Sequence, residues 1–382
     1  MKIAIIRKKY TFHGGAEGIF QDFLAMLVKA GHEIHIFAIH WEGTNLSRNI
    51  HFHKVPAITF NSFIRDLSFA ISSFFILKKQ AHKFDIIQSH DKTLYQDICY
   101  VSDGCHIEWL KQRLRRKGLF GKLSVILNPY HWLILTIERM IFKGHRFKKV
   151  IAMSNLIKNN IMDNYQVNGN DIVVLYHKVD LERFHPANRG RYGEEIRRRY
   201  SIGKDEFVVL FVGSGFERKG VEYLLKAAEL LRYPVTVLIV GKGSENRFKR
   251  YVNRQRVIFC GPQKDVHKYY AASDVFVMPA IYEPFGLVYL EALASGIPVI
   301  TTGLSGAAEI VQDGINGFII PQPEDYPTIA EKIQFLIDQR EEREAMGMNA
   351  RKLAESFSFA EYSDEIMNLY KDIISRGKLS LP

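Results

Sequence analysis

The chain has 382 residues, of which 47% are hydrophobic and 24% are charged. These fractions are ordinary for soluble globular proteins and exclude a disordered chain, while the length predicts two or three domains, two being the simplest count. The three cysteines, Cys99, Cys105 and Cys260, form no C-x-x-C pair, which excludes a disulfide framework and an all-cysteine zinc site and favours a reducing compartment. The N-terminal apolar run, 3–6, is too short for a signal peptide, so we expect a buried strand there.

The net charge of +11 lies entirely in the first half of the chain. Residues 1–180 contain 25 Lys and Arg against 14 Asp and Glu, whereas residues 181–382 contain 27 of each class. This asymmetry predicts an anionic partner for the first half only, either nucleic acid or an anionic membrane surface. A basic domain that is simply soluble is the alternative that composition leaves open.

Short apolar runs alternate with helical patterns along most of the chain. In the first half the predicted strands are 2–6, 33–39, 85–89, 149–153 and 172–175, with a helix over 17–30. In the second half they are 207–212, 235–240, 257–260, 275–279, 298–301 and 318–320, with helices over 219–231, 265–273, 286–295 and 323–338. Near-continuous Ile and Val runs indicate strands buried on both faces, so the alternation predicts an α/β protein with two doubly wound parallel sheets.

A polar stretch without a strand pattern, 180–205, separates the two halves. We therefore predict an N-terminal domain over 1–180, a C-terminal domain over 181–357, and a last helix over 358–382 that crosses back onto the first domain. In open α/β sheets, ligands bind at the carboxyl ends of the strands. Two such domains face to face predict an active site in the cleft between them.

The loop after the first predicted strand contains paired glycines, Gly14 and Gly15, directly before a helix. Glycines there let the backbone approach a phosphate closely, and a helix N-terminus favours an anion. The loop lacks the G-x-G-x-x-G spacing of nicotinamide-binding proteins, and a plain turn is the alternative interpretation.

The loop after strand 207–212 reads GSGFERKG and places Arg218 and Lys219 at the start of the next predicted helix. The helix macrodipole disfavours cations at this end unless an anion sits between them. A diphosphate would be such an anion. Two solvated cations at a helix end are the alternative.

Two glutamates eight residues apart, Glu283 and Glu291, follow strand 275–279. Pro284 should hold Glu283 outside the next helix, because the residue before a proline disfavours helical geometry. Glu291 falls within a mostly apolar helix, where a buried carboxylate needs a hydrogen-bond partner such as a sugar hydroxyl. Either glutamate alone is more often a surface acid, but the loop-to-helix spacing favours a sugar-binding role.

These two motifs resemble the diphosphate loop and the E-x7-E motif of the family 4 retaining glycosyltransferases, which have the GT-B fold. The resemblance covers nearly the whole chain. Segments 41–43 (WEG), 99–105 (CYVSDGC) and 213–221 (GSGFERKGV) are similar to the members that add the first glucose to the inner-core heptose of lipopolysaccharide. The implied fold is GT-B, with two Rossmann-like domains facing across a cleft.

The resemblance implies roles for the charged residues of both motifs. Arg218 and Lys219 would hold the leaving diphosphate of a sugar nucleotide. Glu291 would bind the ribose hydroxyls, and Glu283 would contact hydroxyls of the donor sugar. Asp103 is the acidic candidate beside the acceptor hydroxyl, and the implied catalytic set is Glu283, Asp103, Arg218 and Lys219.

The remaining implied contacts come from backbone and from one further side chain. The amides of Phe285, Gly286 and Leu287 would lie near the donor sugar and the phosphates. Gly14 and Gly15 would approach the diphosphate or the sugar from the other domain. Many family members carry a histidine near the acceptor, so His106 is a second candidate there.

The expected mechanism follows from charge. Breaking the anomeric C–O bond builds negative charge on the diphosphate, which two fixed cations would stabilise. The sequence contains no D-x-D pair to hold a bridging metal, and the resemblance implies a reaction with no metal or other cofactor. It also implies retention by a front-face displacement without a protein nucleophile, so the carboxylate spacing of glycosidases is not a guide to Glu283 and Glu291.

Residues 107–122, IEWLKQRLRRKGLFGK, interleave basic and apolar side chains. This pattern is typical of a segment at an anionic membrane surface, where each basic residue contributes about 1 kcal/mol. Residues 123–142 are long enough to span a bilayer, but Asn128, Pro129, His131, Glu138 and Arg139 argue against a span. We expect a helix packed on the domain or lying at the interface there, and a core helix over 60–77. A solvated helix face is the alternative for the basic segment.

The resemblance therefore implies a retaining, metal-independent hexosyltransferase that moves glucose from UDP-glucose to a membrane-borne glycolipid such as lipopolysaccharide core. We expect a cytoplasmic protein that is peripheral on the inner face of the membrane. Nucleic acid is not an expected partner, since no nucleic-acid-binding motif appears. Two alternatives are a sugar-nucleotide epimerase of similar fold and a non-enzymatic protein that binds membranes or nucleic acid.

Overall fold

The computed structural model of the chain describes residues 1–10, 15–41, 48–357, 359–375 and 377. These residues form two compact units. The first comprises Met1–Tyr176 together with the C-terminal segment from Ala360, and the second comprises His177–Phe359.

The first unit is built on a seven-stranded parallel sheet with the order β5-β3-β1-β6-β7-β8-β9, and β2 pairs with β4 beside it. Its strands are β1 (Lys2–Ile6), β2 (Lys9–Tyr10), β3 (Glu33–Ala38), β4 (His40–Trp41), β5 (Ile50–Lys54), β6 (Ile86–Ser89), β7 (Ile98–Val101), β8 (Lys149–Ala152) and β9 (Ile172–Val174). The central strand β1 is KIAII, and its last four side chains are fully buried because the sheet is covered on both faces. The chain moves outward from β1 in one direction and then from β6 in the other, so the switch point lies between these two strands.

Among the described residues, six α-helices of the first unit precede its last strand. They are α1 (Gly15–Lys29), α2 (Ser62–Gln80), α3 (His106–Arg115), α4 (Leu119–Ile126), α5 (Pro129–Phe142) and α6 (Asn155–Tyr165). The apolar stretch 123–142 is broken where the Asn128 side chain accepts a hydrogen bond from the N–H of Tyr130 and Pro129 occupies the first turn. The expected core helix over 60–77 is α2, which is amphipathic: Phe69 is buried and Phe75 is exposed.

The second unit contains a six-stranded parallel sheet with the order β12-β11-β10-β13-β14-β15. Its strands are β10 (Val208–Val212), β11 (Thr236–Val240), β12 (Arg256–Gly261), β13 (Val275–Val277), β14 (Val299–Thr302) and β15 (Gly317–Ile320). Its helices are α7 (Glu194–Arg199), α8 (Val221–Glu229), α9 (Val266–Ala271), α10 (Leu287–Ala294), α11 (Tyr326–Asp338) and α12 (Arg340–Ala354). The chain again moves outward on both sides from two central neighbours, β10 and β13, which places the switch point between them.

The last helix, α13 (Phe359–Ser375), packs on the first unit. The Tyr370 hydroxyl donates to Oε1 of Gln88 at 2.7 Å, at the sheet's centre, and the Tyr362 hydroxyl lies 3.4 Å from that of Tyr100. These tyrosines are buried, so the helix supplies part of the first unit's core.

Two strands of the first sheet, β5 and β7, are missing from the sequence prediction. β5 reads IHFHK and is an edge strand, so it needs no apolar run on both faces. β7 reads ICYV and is buried, but it has only four residues and overlaps the segment 99–105 that carries the family resemblance. The other predicted strands are confirmed within two residues at each end.

Candidate active site

The two motifs of the second unit meet at the switch point of its sheet. β10 pairs directly with β13, and the chain then continues to opposite sides of the pair. The glycine-rich loop that carries Arg218 and Lys219 follows β10, and the loop that carries Glu283 follows β13. The carboxyl ends of two such strands form the crevice in which doubly wound sheets bind ligands.

Glu283 is the anion that lies between the two cations. Its Oε2 accepts hydrogen bonds from Lys219 Nζ at 2.9 Å and from Arg218 Nη1 at 3.1 Å. The Glu283 residue is only 7% exposed, and burial disfavours its charge, yet the two cations hold its pKa below the ordinary value. Arg218 Nη1 also donates to the carbonyl oxygen of Tyr282 at 2.8 Å. The carboxylate is therefore ionised at neutral pH and holds both cations at one point.

Two glycines let Lys219 reach this position. A Cβ on Gly213 would lie 2.5 Å from Cδ of Lys219, so only glycine lets the lysine pack across the loop. Gly220 has φ +78° and caps α8, which begins at Val221. The prediction that a helix begins at 219 is wrong by two residues: Lys219 lies in the turn before the helix, because the left-handed Gly220 interrupts helical geometry.

The backbone around Glu283 is fixed to the neighbouring loop after β14. The Glu283 N–H donates to the Leu304 carbonyl at 3.1 Å, and the Gly306 N–H donates to the Glu283 carbonyl at 2.9 Å. As Pro284 predicts, Glu283 lies outside α10, whose N-cap is Gly286 with φ +83°. Within the described residues, the N–H groups of Gly286 and Leu287 have no acceptor, so both are available to an anion.

Glu291 lies on α10, and among the described residues its carboxylate has one hydrogen-bond partner. The hydroxyl of Tyr270 lies 2.9 Å from Glu291 Oε2 and 3.0 Å from the Val288 carbonyl oxygen, which share its single proton. Burial raises the pKa of Glu291, against the opposing effect of the Tyr270 hydrogen bond. In the described part of the chain Oε1 of Glu291 accepts no hydrogen bond, which leaves this oxygen for a hydroxyl donor. Tyr270 belongs to neither motif, so sequence reasoning had no signal for it.

His177 also lies at this site and was missed by sequence reasoning. Its ring centroid is 5.7 Å from that of the buried Phe285. Burial lowers the pKa of His177 to about 4, although the negative charge of Glu283 opposes this. At neutral pH the group is an uncharged imidazole, in which one nitrogen donates a hydrogen bond and the other accepts one. It lies in the loop after β9, outside both motifs.

In the first unit, Asp103 lies just beyond the carboxyl end of β7 and is exposed. His106 begins α3 and is turned inward. Its backbone N–H donates to Glu138 Oε1 at 2.8 Å, and its ring Nε2 lies 3.0 Å from Nδ1 of His131. Burial and the nearby Lys92 lower the pKa of His106 to about 3. The exposed carboxylate is therefore the more accessible of the two candidates near an acceptor.

A cluster of charged side chains in the first unit lies at the switch point between β1 and β6. Lys8 Nζ is 3.0 Å from Asp66 Oδ2 and 3.3 Å from Asp91 Oδ1, and the Tyr130 hydroxyl donates to Asp66 at 3.0 Å. Burial raises the pKa of Asp91 against the effect of Lys8. For Lys8 and Asp91 the available signal was a charged residue close behind a buried strand, whereas Asp66 lies within α2 and had no such signal. Of the paired glycines, Gly15 begins α1 and Gly14 lies outside the described residues.

Comparison with known proteins identifies the family. Residues 13–183 match the family model described as Glycosyltransferase Family 4, and residues 193–353 match the one described as Glycosyl transferases group 1. Together the two matches cover most of the chain. The chain is a glycosyltransferase.

The glycosyltransferase is similar in sequence and in fold to characterised proteins. It is 25% identical over 364 residues to the lipopolysaccharide glucosyltransferase WaaG of Escherichia coli K12, covering 93% of this chain and 95% of that protein. A crystal structure of WaaG aligns with a TM-score of 0.82 at 24% identity, over 96% and 99% of the two chains. Anabaena Alr3699/HepE in complex with UDP and glucose aligns with a TM-score of 0.72 at 19% identity, over 97% and 99%. The two parallel-sheet units are thus the two domains of the GT-B fold, and the predicted family and fold are confirmed.

Proposed function

We propose that the glycosyltransferase moves glucose from UDP-glucose to a membrane-borne glycolipid such as lipopolysaccharide core, with retention of the anomeric configuration and without a metal ion. The observation that supports a sugar-nucleotide donor is the triad of Arg218, Lys219 and Glu283 at the switch point of the second sheet. Similarity to WaaG, and to HepE with UDP and glucose, supports this choice of substrates.

The triad gives the donor reaction a charge-based mechanism. Within the described residues, Nε and Nη2 of Arg218 have no partner, and Lys219 has the Glu283 carboxylate as its only anionic partner. A diphosphate would compete with Glu283 for these donors. As the anomeric C–O bond breaks, its electron pair stays on the diphosphate, and two preorganised cations stabilise the developing charge.

Once the diphosphate takes over the cations, the Glu283 carboxylate is released to accept hydrogen bonds from hydroxyls of the donor sugar. The free N–H groups of Gly286 and Leu287 add donors for a phosphate oxygen, and Oε1 of Glu291 accepts from a ribose hydroxyl. In the first unit, Asp103 is the residue we assign to the acceptor hydroxyl. In a front-face reaction the attacking hydroxyl approaches from the side that the diphosphate leaves.

Substitution of Lys219 tests the donor assignment. Lys219→Ala should lower turnover of UDP-glucose with the glycolipid acceptor by about 10²–10³-fold, the typical effect of removing one donor to a developing charge. Lys352→Ala, which removes an exposed lysine from α12, is the matched control. Unchanged turnover in Lys219→Ala would overturn the diphosphate role. The anomeric configuration of the product, read by NMR, tests retention.

The donor and the metal requirement are tested by thermal shift with UDP, GDP, ADP and their glucose conjugates, with and without EDTA. A ligand that binds only the folded state raises the melting temperature by mass action. We expect the largest rise with UDP and UDP-glucose, and a rise of the same size in EDTA. A reaction that yields an epimer or free sugar without acceptor would favour an epimerase instead.

The membrane half of the proposal rests on an apolar surface, which we define as Leu119, Phe120, Leu127 and Trp132. On α4, Leu119 is 72% exposed and Phe120 is 88% exposed, and after it Leu127 and Trp132 are 71% and 62% exposed. Burying one such side chain in an apolar environment is worth about 1.5–3 kcal/mol. No helix among the described residues is long and apolar enough to cross a bilayer. We infer that this surface inserts at the level of the lipid headgroups.

Basic residues around this apolar surface divide into two groups. Arg115 and Lys122 are exposed, and they can contact lipid headgroups. Arg113 and Arg116 turn back onto the unit: Arg116 Nη1 donates to the Gln112 side chain at 2.8 Å, and Arg113 Nη1 lies 3.5 Å from His131 Nε2. Not every cation of segment 107–122 can therefore serve the membrane.

Vesicle sedimentation separates the apolar from the electrostatic contribution. Phe120→Ser combined with Trp132→Ser should weaken binding to both neutral and anionic vesicles by at least tenfold. Arg115→Ser combined with Lys122→Ser should weaken binding to anionic vesicles alone. Met348→Ser, at an exposed apolar residue of the second unit, is the control. Equal vesicle binding by wild type and the Phe120/Trp132 variant would refute this surface.

A further inference from the structure

A group of imidazoles and one carboxylate lies at the edge of the first sheet. Glu33 and His35 are on β3, and His51 and His53 are on the edge strand β5. The parallel register pairs His35 with His51 and Phe37 with His53. Since alternate residues of a strand share a face, the register brings these side chains together on one face of the sheet.

Three of these side chains bring possible ligand atoms close to one another. Glu33 Oε1 lies 3.0 Å from His35 Nε2 and 3.7 Å from His51 Nε2. One ligand atom from each lies within 4.8 Å of the others. Tetrahedral zinc with bonds near 2.1 Å holds its ligand atoms about 3.4 Å apart. The exposed His51 can close the remaining gap by rotating its side chain.

The surroundings of these ligand atoms match the outer shell of a metal site. His35 Nδ1 lies 2.8 Å from His53 Nε2, and Lys2 Nζ lies 3.2 Å from Glu33 Oε2, the oxygen that faces away from the imidazoles. With its Nε2 lone pair directed at a metal, His35 carries its proton on Nδ1 and donates it to His53. A ligating histidine in proteins nearly always makes such a second hydrogen bond. Phe84 packs edge-on against His35 at 5.1 Å and supplies an apolar floor.

We propose that Glu33, His35 and His51 bind one divalent transition-metal ion, with zinc as the first choice and water at the fourth position. Two imidazole nitrogens and one carboxylate oxygen are a donor set that zinc takes readily. Glu33 and His35 lie in the amino-terminal half of β3, whereas ligands of doubly wound sheets bind at the carboxyl ends. The metal therefore serves the sheet and is separate from the donor chemistry. It links β5, which in the described part of the chain pairs only with β3, to the rest of the unit.

Isothermal titration of the untagged full chain with zinc chloride tests the site. We expect one equivalent to bind wild type, and His51→Ala to weaken that binding at least tenfold. Glu33→Gln, which keeps the side-chain shape, should weaken it similarly and covers the case in which His51→Ala fails to fold. His40→Ala, which removes an exposed histidine beyond the carboxyl end of β3, should bind zinc as wild type does.

Hydrogen exchange provides a second readout that does not depend on activity. Zinc should slow exchange of the β5 amides in wild type and leave their exchange unchanged in Glu33→Gln. Absence of stoichiometric binding to wild type would overturn the proposal. So would equal affinity in wild type and both cluster variants. UDP binding should be the same with and without zinc, so the two sites can be tested separately.

Discussion

Removing the Glu283 carboxylate should lower the free energy of unfolding of the protein and raise its affinity for UDP. In Glu283→Gln, Lys219 and Arg218 lose their shared anion and face each other across an uncharged amide. Their side chains are 12% and 32% exposed, so solvent screens the repulsion only in part. Breaking a buried ion pair by removing one partner costs about 3–5 kcal/mol, and the partial exposure of Arg218 favours the lower end, about 3 kcal/mol.

For a unit of this size, about 3 kcal/mol corresponds to a fall of about 6–12 °C in the melting temperature. The matched control is Glu195→Gln, which removes an exposed carboxylate paired with Lys268 at 2.9 Å and should cost less than about 1 kcal/mol. Differential scanning calorimetry of both variants without ligand measures the two effects. A melting temperature in Glu283→Gln equal to that of the control would refute the stabilising role of the triad.

The effect on UDP should have the opposite sign. In the wild type the diphosphate must displace Glu283 from both cations, whereas in Glu283→Gln it meets no competing anion. We expect the dissociation constant for UDP, measured by titration calorimetry, to fall at least tenfold, which is about 1.4 kcal/mol. Turnover should nevertheless fall, because the proposed contact from Glu283 to the donor sugar is lost. UDP binding weaker than wild type would show that the cations do not receive the diphosphate.

Three further substitutions, and a fourth that serves as a control for one of them, test the surroundings of the triad. Tyr270→Phe removes the donor to Glu291 and should cost about 1–3 kcal/mol of the free energy of unfolding, measured with urea. The folded pKa of His177, about 4, lies below its ordinary value, so the unfolded chain binds more protons between pH 6.5 and 4, and stability falls as the pH falls through this window. His177→Gln should flatten that part of the profile of melting temperature against pH. An unchanged slope would contradict the lowered pKa of His177. Gly220→Ala should cost more than about 3 kcal/mol, because φ is +78° and the new Cβ would overlap a backbone carbonyl, whereas Gly215→Ala, with φ +80° in open space, should cost about 1 kcal/mol.

Sequence patterns alone were enough to predict the architecture and the charged residues of the candidate site. Buried parallel strands need apolar side chains on both faces, so runs such as 208–212 and 236–240 are visible without any structure. The effects of Gly213, Gly220 and Pro284 can also be predicted from the sequence. A glycine widens and a proline narrows the range of backbone dihedral angles, and this depends on few neighbouring residues. These local rules were enough to place Arg218, Lys219 and Glu283 in two loops.

What these residues contact depends on how distant parts of the chain pack together. Lys219 and Glu283 are 64 positions apart in the sequence, and their ion pair exists because β10 and β13 are neighbours at a switch point. Likewise, Tyr270 contacts Glu291 through the packing of α9, the helix that carries the tyrosine. His35 contacts His51 through the register of β3 and β5. Strand order and register are set by long-range packing across the whole sheet. A local pattern therefore predicts that a polar group exists at a strand end or edge, but not which partner it meets.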